Sequence, residues 1–215
     1  MMTNIAILGA AGRIGQLVRA NLINQTDMNV TLVARSAEQR LKIHDDDRET
    51  FVSTDLDDVK LVAEALKGQD IVVLAVAPHP ELAQAVIQAM HDAGISRLIV
   101  TGVLGVDDEV PGAFGAWNES MIGGELPELK AGYQALMASD LDVTYIRMTW
   151  LYDDATELTY VISQPGEPLP GVQVTREAVA AFITKQLAEG AQAYQNESIG
   201  IYEPGSEKFS KPTFY

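Results

Sequence analysis

The sequence contains no cysteine among its 215 residues. Disulfides, cysteine-ligated zinc and a thiol nucleophile are therefore excluded, and the composition suits a reducing compartment. No apolar stretch approaches the roughly 20 residues needed to cross a bilayer. The opening MMTNIAILGA lacks the basic flank of a secretion signal and resembles a first strand instead. We therefore expect a soluble, cytoplasmic protein without a membrane partner.

Basic residues are also scarce, since 15 lysines and arginines stand against 30 acidic residues and give a formal net charge of −15. Nucleic acid is then an unfavourable partner, because phosphate backbones are neutralised by clustered lysine and arginine. Four arginines in the first 40 residues nevertheless outnumber two acidic residues there. These arginines are Arg13, Arg19, Arg35 and Arg40. Their placement points to one local anion site.

Metal-ligand patterns are missing as well. The acidic run Asp45–Asp47 lacks the alternating spacing and the glutamate of a calcium loop, and it is interpreted as a solvated loop. The three histidines stand apart in the sequence and form no paired ligand motif. We therefore predict no metal site.

Apolar runs and amphipathic segments alternate along the chain, and 47% of its residues are hydrophobic. Apolar runs predict strands at 4–8, 30–34, 50–53, 71–76, 97–101, 143–148 and 198–202. Helical periodicity predicts helices at 13–24, 57–66, 81–93, 126–139 and 175–189. This alternation predicts a single α/β domain over residues 1–215, with a parallel, doubly wound sheet. Residues 102–124 show little periodicity and are predicted to form a long functional loop.

The segment GAAGRIG, residues 9–15, lies between the first predicted strand and helix. In this setting Gly9 can form the sharp turn, Gly12 can let the backbone approach a pyrophosphate, and Gly15 can let the helix pack on the sheet. The alternative is a tight strand-to-helix connection without a ligand. The predicted phosphate-binding residues are Gly9, Ala11, Gly12, Arg13, Ile14 and Gly15.

The end of the second predicted strand indicates which dinucleotide is bound. An NAD enzyme usually has an acidic residue there for the adenosine ribose, but this chain has Arg35 and Ser36. Arginine can pair with a 2′-phosphate and serine can donate a further hydrogen bond. Arg13 could reach the same phosphate. The sequence thus favours NADP(H) over NAD(H), although Arg35 could instead be a solvated loop residue.

Five segments, GAAGRIG, LVARS, STDLDD, VLAVAP and DVTYIRMTWL, together resemble the short-chain dehydrogenase/reductase superfamily. More narrowly, they resemble its atypical NmrA-like and biliverdin-reductase-B-like branch, over about residues 3–185. The resemblance implies a Rossmann-type domain that binds NAD(P) at the carboxyl ends of its strands. It also implies a small C-terminal substrate region, residues 149–215.

The same resemblance implies further cofactor contacts. Asp55 and Leu56 match a step that contacts adenine, and Ala75, Val76 and Ala77 match a turn along the cofactor ribose. Asp55 could equally cap the following helix.

The catalytic Tyr-x-x-x-Lys pair of many members of this superfamily is absent, because Tyr133 is followed four residues later by Met137. Lys130 lies in about the right helix to hold a nicotinamide ribose hydroxyl, or is a surface lysine. Thr101 matches the family's serine or threonine position, or is a strand-end threonine bonded to backbone. The candidate catalytic residues are therefore Thr101, Lys130 and Tyr133.

Two further positions depart from the family pattern. Arg147 is followed by methionine where the family commonly has proline, and Ala178 stands where it has an acidic residue. Four aromatic residues could line a pocket over the nicotinamide or could simply pack as core. They are Phe114, Trp117, Trp150 and Tyr152.

Hydride transfer needs no protein nucleophile, because the cofactor carries the chemistry. The sequence therefore predicts an NADP(H)-dependent oxidoreductase that reduces a small flat or carbonyl-bearing acceptor such as a flavin, quinone, aldehyde or ketone. The alternative is a non-catalytic, NADP-binding redox sensor with a protein partner. A homodimer and the role of the tail after residue 202 are left open.

Overall fold

Eight strands form the central sheet, in a computed structural model that describes residues 2–45 and 47–215. The strands of the described residues are β1 (Asn4–Leu8), β2 (Asn29–Ala34), β3 (Glu49–Ser53), β4 (Ile71–Leu74), β5 (Arg97–Val103), β6 (Asp142–Met148), β7 (Trp150–Tyr152), β8 (Val161–Ser163), β9 (Gln173–Thr175) and β10 (Glu197–Tyr202). Strands β7 and β9 lie outside the central sheet and form a separate parallel pair. The helices are α1 (Arg13–Gln25), α2 (Ala37–Arg40), α3 (Val59–Leu66), α4 (Pro80–Ala93), α5 (Gly112–Ile122), α6 (Leu126–Met137) and α7 (Arg176–Ala188).

The strand order of the sheet is β3-β2-β1-β4-β5-β6-β10-β8. All neighbours are parallel except β8, which runs antiparallel to β10 at one edge. Every residue of the central strand β4 is buried, as expected for a parallel strand covered on both faces. The predicted Rossmann-type, doubly wound sheet is confirmed.

Helices cover both faces of this sheet. Helices α1 and α7 pack together on one face, where α1 buries Ile14, Val18 and Leu22. These three positions are four residues apart, so they lie along one side of the helix. Helices α3, α4 and α6 cover the other face and pack side by side. The glycine turn, residues 9–12, follows the last residue of β1 and precedes α1, so it lies at the carboxyl edge of the sheet.

The structure corrects the prediction of a long loop at residues 102–124, because helix α5 occupies Gly112–Ile122. This helix buries only Phe114 and Asn118, and its two glycines lower its helix propensity. Its sequence therefore lacks the apolar periodicity by which helices α1, α3, α4, α6 and α7 were predicted. The four-residue helix α2 was not predicted either. Strands β7, β8 and β9, each three residues long, were not predicted either.

Two helix ends carry defined capping residues. Thr175 is the N-cap of α7, because its hydroxyl accepts a hydrogen bond from the amide of Ala178 at 2.9 Å. Gly94 ends α4 in the left-handed conformation, with φ 75°.

The chain after residue 202 lies against the domain. Gln173 accepts hydrogen bonds from the amide and hydroxyl of Thr213 at 2.8 and 2.9 Å. The Tyr215 ring packs edge-on against Trp117 and Trp150. Within the described ranges, no helix combines the length and the apolar character that crossing a bilayer requires.

Candidate functional site

The glycine turn between β1 and α1 is held to the neighbouring strand. The amides of Gly9 and Ala10 both donate to the carbonyl of Val33, at 2.9 and 3.1 Å. Gly9 has φ +82°, a conformation that favours glycine. A Cβ atom at Gly15 would lie 2.8 Å from the Gly9 carbonyl oxygen. The close approach of α1 to β1 therefore requires glycine at residue 15.

The first turn of α1 presents main-chain donors. Gly12 is its N-cap, and the amides of Arg13, Ile14 and Gly15 are too near the helix start to have an acceptor within it. No acidic side chain occupies this first turn. The Ile14 side chain is buried in the core, so this residue can offer a ligand only its backbone. The arrangement suits an anion at the positive end of the helix dipole.

A cleft of about 410 Å³ extends from this turn toward β2 and β3. It collects seven of the predicted cofactor residues. Its other lining residues, which were not among the predicted cofactor contacts, are Ala34, Arg40, Asp57 and Leu82. The predicted residues that line it are Gly9, Ala11, Gly12, Arg35, Asp55, Leu56 and Val76. The cleft therefore joins the glycine turn to the arginines that follow β2.

Arg35 and Arg40 both line the cleft. Arg35 is 74% exposed and pairs with Asp55 at 3.4 Å, so its guanidinium is free to turn toward a ligand. Ser36 adopts φ 51° just before the short helix α2. That helix brings Arg40 back to the cleft, where its guanidinium donates to the Arg35 carbonyl at 3.5 Å. Arg40 was counted in the basic cluster of the sequence, but the turn that delivers it was not predicted.

The suggestion that Asp55 caps the following helix is wrong. Asp58 is the N-cap of α3, since its carboxylate accepts from the amide of Leu61 at 3.1 Å. Asp55 and Leu56 instead border the cleft. Of the turn after β4, Val76 is exposed and lies against Gly9, where an added Cβ would come 2.7 Å from its Cγ2 atom.

Arg13 does not line this cleft. Its Nη1 atom instead donates to Asp153 at 3.2 Å. Contact of Arg13 with the same phosphate as Arg35 stays a prediction. Arg19 is buried and pairs with Glu49, which makes it a structural residue.

The candidate catalytic residue Thr101 has a buried hydroxyl that donates to the carbonyl of Leu74 at 3.2 Å. This bond ties the end of β5 to the end of β4. The geometry favours the alternative interpretation of Thr101 as a strand-end threonine bonded to backbone.

Replacing Thr101 with valine is expected to lower the free energy of unfolding by about 1 kcal/mol, because the Leu74 carbonyl loses its side-chain donor. Binding of NADPH should change less than about twofold, since little of the cleft moves. Chemical denaturation and a fluorescence titration measure the two quantities. Thr184→Val is the matched control, because that buried hydroxyl also donates to a carbonyl, at 2.8 Å from Ala180, but away from the cleft. Loss of turnover without loss of stability would restore a catalytic role for Thr101.

Lys130 and Tyr133 are not among the residues that line this cleft. The ammonium of Lys130 donates to Asp108 at 2.7 Å. Tyr133 packs on Tyr145, with ring centroids 4.7 Å apart. Burial, aided by Asp107, raises the pKa of Tyr133 to about 12. A tyrosine that donates a proton to substrate needs a lowered pKa, so this environment opposes that role.

A second cleft, of about 660 Å³, contains Tyr133 beside the loop after β5 and the start of β10. Arg147 lies buried at its wall, 3.6 Å from Asp107 and 3.4 Å from Glu109. Arg147, which is followed by methionine where the family commonly has proline, therefore belongs to an internal ion-pair network with Asp107 and Glu109.

Three of the four predicted aromatic residues, Phe114, Trp117 and Trp150, pack against one another, and Tyr152 packs against Phe214 of the C-terminal chain. Phe114 is buried, and Trp117 stacks on it at 6.1 Å between centroids. The indole of Trp150 donates to Asn118 at 2.9 Å, and Tyr215 covers both tryptophans. The geometry favours the interpretation of these residues as packing between α5 and the C-terminal chain.

No group of three or more metal-ligating side chains occurs in residues 2–45 and 47–215. Of the acidic run Asp45–Asp47, Asp46 lies outside the described residues. Asp45 accepts a hydrogen bond from Arg48 at 2.6 Å.

Comparison with known proteins gives a consistent set of relatives. The model of a family described as NAD(P)H-binding matches residues 9–190. A short-chain dehydrogenase/reductase from Veillonella parvula in complex with NADP is 28% identical, with a TM-score of 0.94 and 100% coverage of both chains. A Rossmann-fold NAD(P)-binding family protein from Shigella flexneri is 29% identical, with a TM-score of 0.82 and 100% coverage of both chains. An anaerobillin reductase from Escherichia coli shares the fold at 23% identity and a TM-score of 0.73, over 94% of this chain and 98% of its own. No curated protein matches the sequence.

Proposed function

The chain belongs to the NAD(P)H-binding family, and from that membership we propose that it is an NADP(H)-dependent oxidoreductase acting on a small flat or carbonyl-bearing acceptor. The observation that carries the proposal is the cleft itself. It joins a helix N-terminus free of acidic residues to two arginines, Arg35 and Arg40. One end suits a diphosphate and the other suits a further phosphate.

The residues of the cleft fit a dinucleotide. Cβ atoms at Gly9 and Gly15 would meet the Val76 Cγ2 atom at 2.7 Å and the Gly9 carbonyl oxygen at 2.8 Å, so glycine at both positions lets the turn and the start of α1 pack closely enough to form the site. The amides of the first turn of α1 would hold the diphosphate. Leu56 and Val76 offer apolar surface to the adenosine half.

The preference for NADP(H) over NAD(H) is supported by the charge after β2. Arg35 and Arg40 place two guanidinium groups where an NAD enzyme usually has a carboxylate. Ser36 adds a hydroxyl beside them. The relative from Veillonella parvula, which is in complex with NADP, is consistent with this preference.

When bound, the dinucleotide supplies the hydride, so the protein has only to hold, orient and shield the reacting groups. The glycine turn and the arginines do the holding. The turn after β4, with Ala75, Val76 and Ala77, is proposed to follow the cofactor ribose toward the acceptor. The acceptor itself is proposed to enter beside residues 149–215, which supply strand β7 and the chain that follows it.

A redox sensor is the second candidate, and one specific observation favours it. Thr101, Lys130 and Tyr133 are all engaged by other protein groups. None of them lines the cleft, within the part of the chain that the structure describes. A sensor would bind the cofactor and pass its redox state to a protein partner without turnover.

Steady-state oxidation of NADPH in the presence of flavins, quinones and aldehydes separates the two candidates. An oxidoreductase is expected to consume NADPH with at least one acceptor, and to do so more efficiently than NADH because of Arg35 and Arg40. A parallel titration without acceptor shows whether the cofactor binds. Binding without turnover across the panel would favour the sensor, and absence of binding would reject both candidates.

A further inference from the structure

An ion-pair bridge joins the glycine turn to the chain that follows β7. Arg13, the first residue of α1, donates to Asp153 at 3.2 Å across 140 residues of sequence. Asp153 also accepts a hydrogen bond from Arg176, the first residue of α7, at 2.7 Å. One carboxylate therefore connects two helix N-termini, and one of these belongs to the proposed diphosphate site.

The two arginines of the bridge differ in freedom. Arg13 is 69% exposed along its side chain, whereas Arg176 is 12% exposed. Arg176 therefore holds Asp153 in place, and Arg13 is the partner that can leave. If Arg13 turns away, Asp153 still keeps an arginine, so no uncompensated charge results.

We propose that Asp153 is a positioning residue for the cofactor: it engages Arg13 in the free protein and yields it to the diphosphate when NADP(H) binds. This inference rests on the proposed function. It makes residue 153 a competitor for one of the cations of the cofactor site. It also couples cofactor binding to residues 153–159, which lead from β7 toward β8.

Electrostatics give the direction of the exchange. The hydrogen bond from Arg176, with the charges of both arginines, lowers the pKa of Asp153, so Asp153 is ionised at neutral pH. An exposed pair of single charges is weak in water. A diphosphate carries two charges and accepts paired hydrogen bonds from a guanidinium, beside amides that already favour an anion. The interaction of Arg13 with the diphosphate is thus more favourable than its ion pair with Asp153. The cofactor has to break that ion pair when it binds, and this lowers its affinity.

Asp153→Asn tests the exchange. The amide keeps the size of the side chain but removes the charge that competes for Arg13. The dissociation constants of NADPH and NADH are expected to fall by the same factor, about two- to fivefold, as suits loss of one exposed ion pair. The equal factor follows because both cofactors carry the diphosphate. Fluorescence titration without acceptor measures it, and circular dichroism confirms the fold of each variant.

Asp154→Asn is the matched control. It removes the same charge one residue away, where the carboxylate accepts from the amide and hydroxyl of Thr156 at 2.9 and 2.7 Å. Its effect on the dissociation constants measures what the loss of one negative charge in this region does by itself. The fall in the dissociation constants should be larger for Asp153→Asn. In an Arg13→Gln background, Asp153→Asn should give no more gain than Asp154→Asn, because the competing arginine is gone. The excess gain should also shrink at high salt, which screens exposed charges.

Three results would overturn the inference while leaving the proposed function intact. They are weaker binding in Asp153→Asn, a gain equal to that of Asp154→Asn, and a gain confined to NADPH, which would move Arg13 to the 2′-phosphate. If the unaltered protein binds neither cofactor, the proposed function fails and takes the inference with it. If the Asp153→Asn protein fails to fold, Arg13→Gln alone replaces it. That variant must then bind NADPH and NADH more weakly by the same factor.

Discussion

Reversing the charge at Arg35 (Arg35→Asp) is expected to raise the dissociation constant of NADPH about 100-fold, because a hydrogen-bonded charge pair with the 2′-phosphate is replaced by repulsion. The dissociation constant of NADH should change less than about threefold, since NADH has no phosphate there. Asp55, which pairs with Arg35 at 3.4 Å, would then add to the repulsion. Calorimetric titration of both cofactors measures the difference.

The control for this experiment is Lys185→Asp, which makes the same charge change at an exposed position on α7, away from the cleft. It should leave both affinities nearly unchanged. Arg40→Gln should also weaken the binding of NADPH more than that of NADH. The effect should be smaller than that of Arg35→Asp, because the substitution removes one cation without adding an anion. If Arg35→Asp raises the dissociation constants of NADPH and NADH by the same factor, the assignment of Arg35 to the 2′-phosphate is wrong.

Adding one methyl group to the glycine turn is expected to disturb the fold and the cofactor site together. In Gly15→Ala the new Cβ atom would lie 2.8 Å from the Gly9 carbonyl oxygen and 2.9 Å from the Ala10 Cα atom. Both neighbours are backbone, so α1 must move away from β1. We expect the free energy of unfolding to fall by about 2 kcal/mol, which corresponds to a decrease in melting temperature of about 4–8 °C. Binding of NADPH and NADH should weaken by the same factor, because the shifted amides serve both.

Gly124→Ala is the matched control for Gly15→Ala. A Cβ atom at Gly124 would have no neighbour within 4 Å, and this residue is not among the glycines with positive φ. Its melting temperature should stay within about 2 °C of the unaltered protein. Thermal unfolding followed by circular dichroism gives both values. A Gly15→Ala protein as stable as Gly124→Ala would mean that α1 does not press on the turn.

Most of the sheet could be predicted because its information is local. Each parallel strand is a short apolar run, and the runs are separated by helices with apolar residues four apart, such as Ile14, Val18 and Leu22. Helix α5 escaped prediction because Gly112 and Gly115 weaken its propensity and it buries few residues. Strands β7 to β9 are too short to show a period of two.

The candidate cofactor site could be proposed from the sequence for a related reason. The glycine turn and the residues after β2 occur within the first 36 positions, and the prediction that they bind phosphate follows from residue type and order. Arg40 needed the short helix α2 to bring it back to the cleft. Asp153 lies 140 residues from Arg13, and no local pattern relates the two.

The sequence by itself determined the glycine turn, the alternation of strands and helices, and the arginine after β2, because each depends on neighbouring residues. Only the tertiary structure decided which side chains meet. In the folded chain Arg13 pairs with Asp153, Tyr133 lines the second cleft, and Tyr215 packs on Trp117. The physical reason is that a parallel sheet brings together chain segments far apart in sequence, and the side-chain contacts that form depend on which of these segments the fold places side by side.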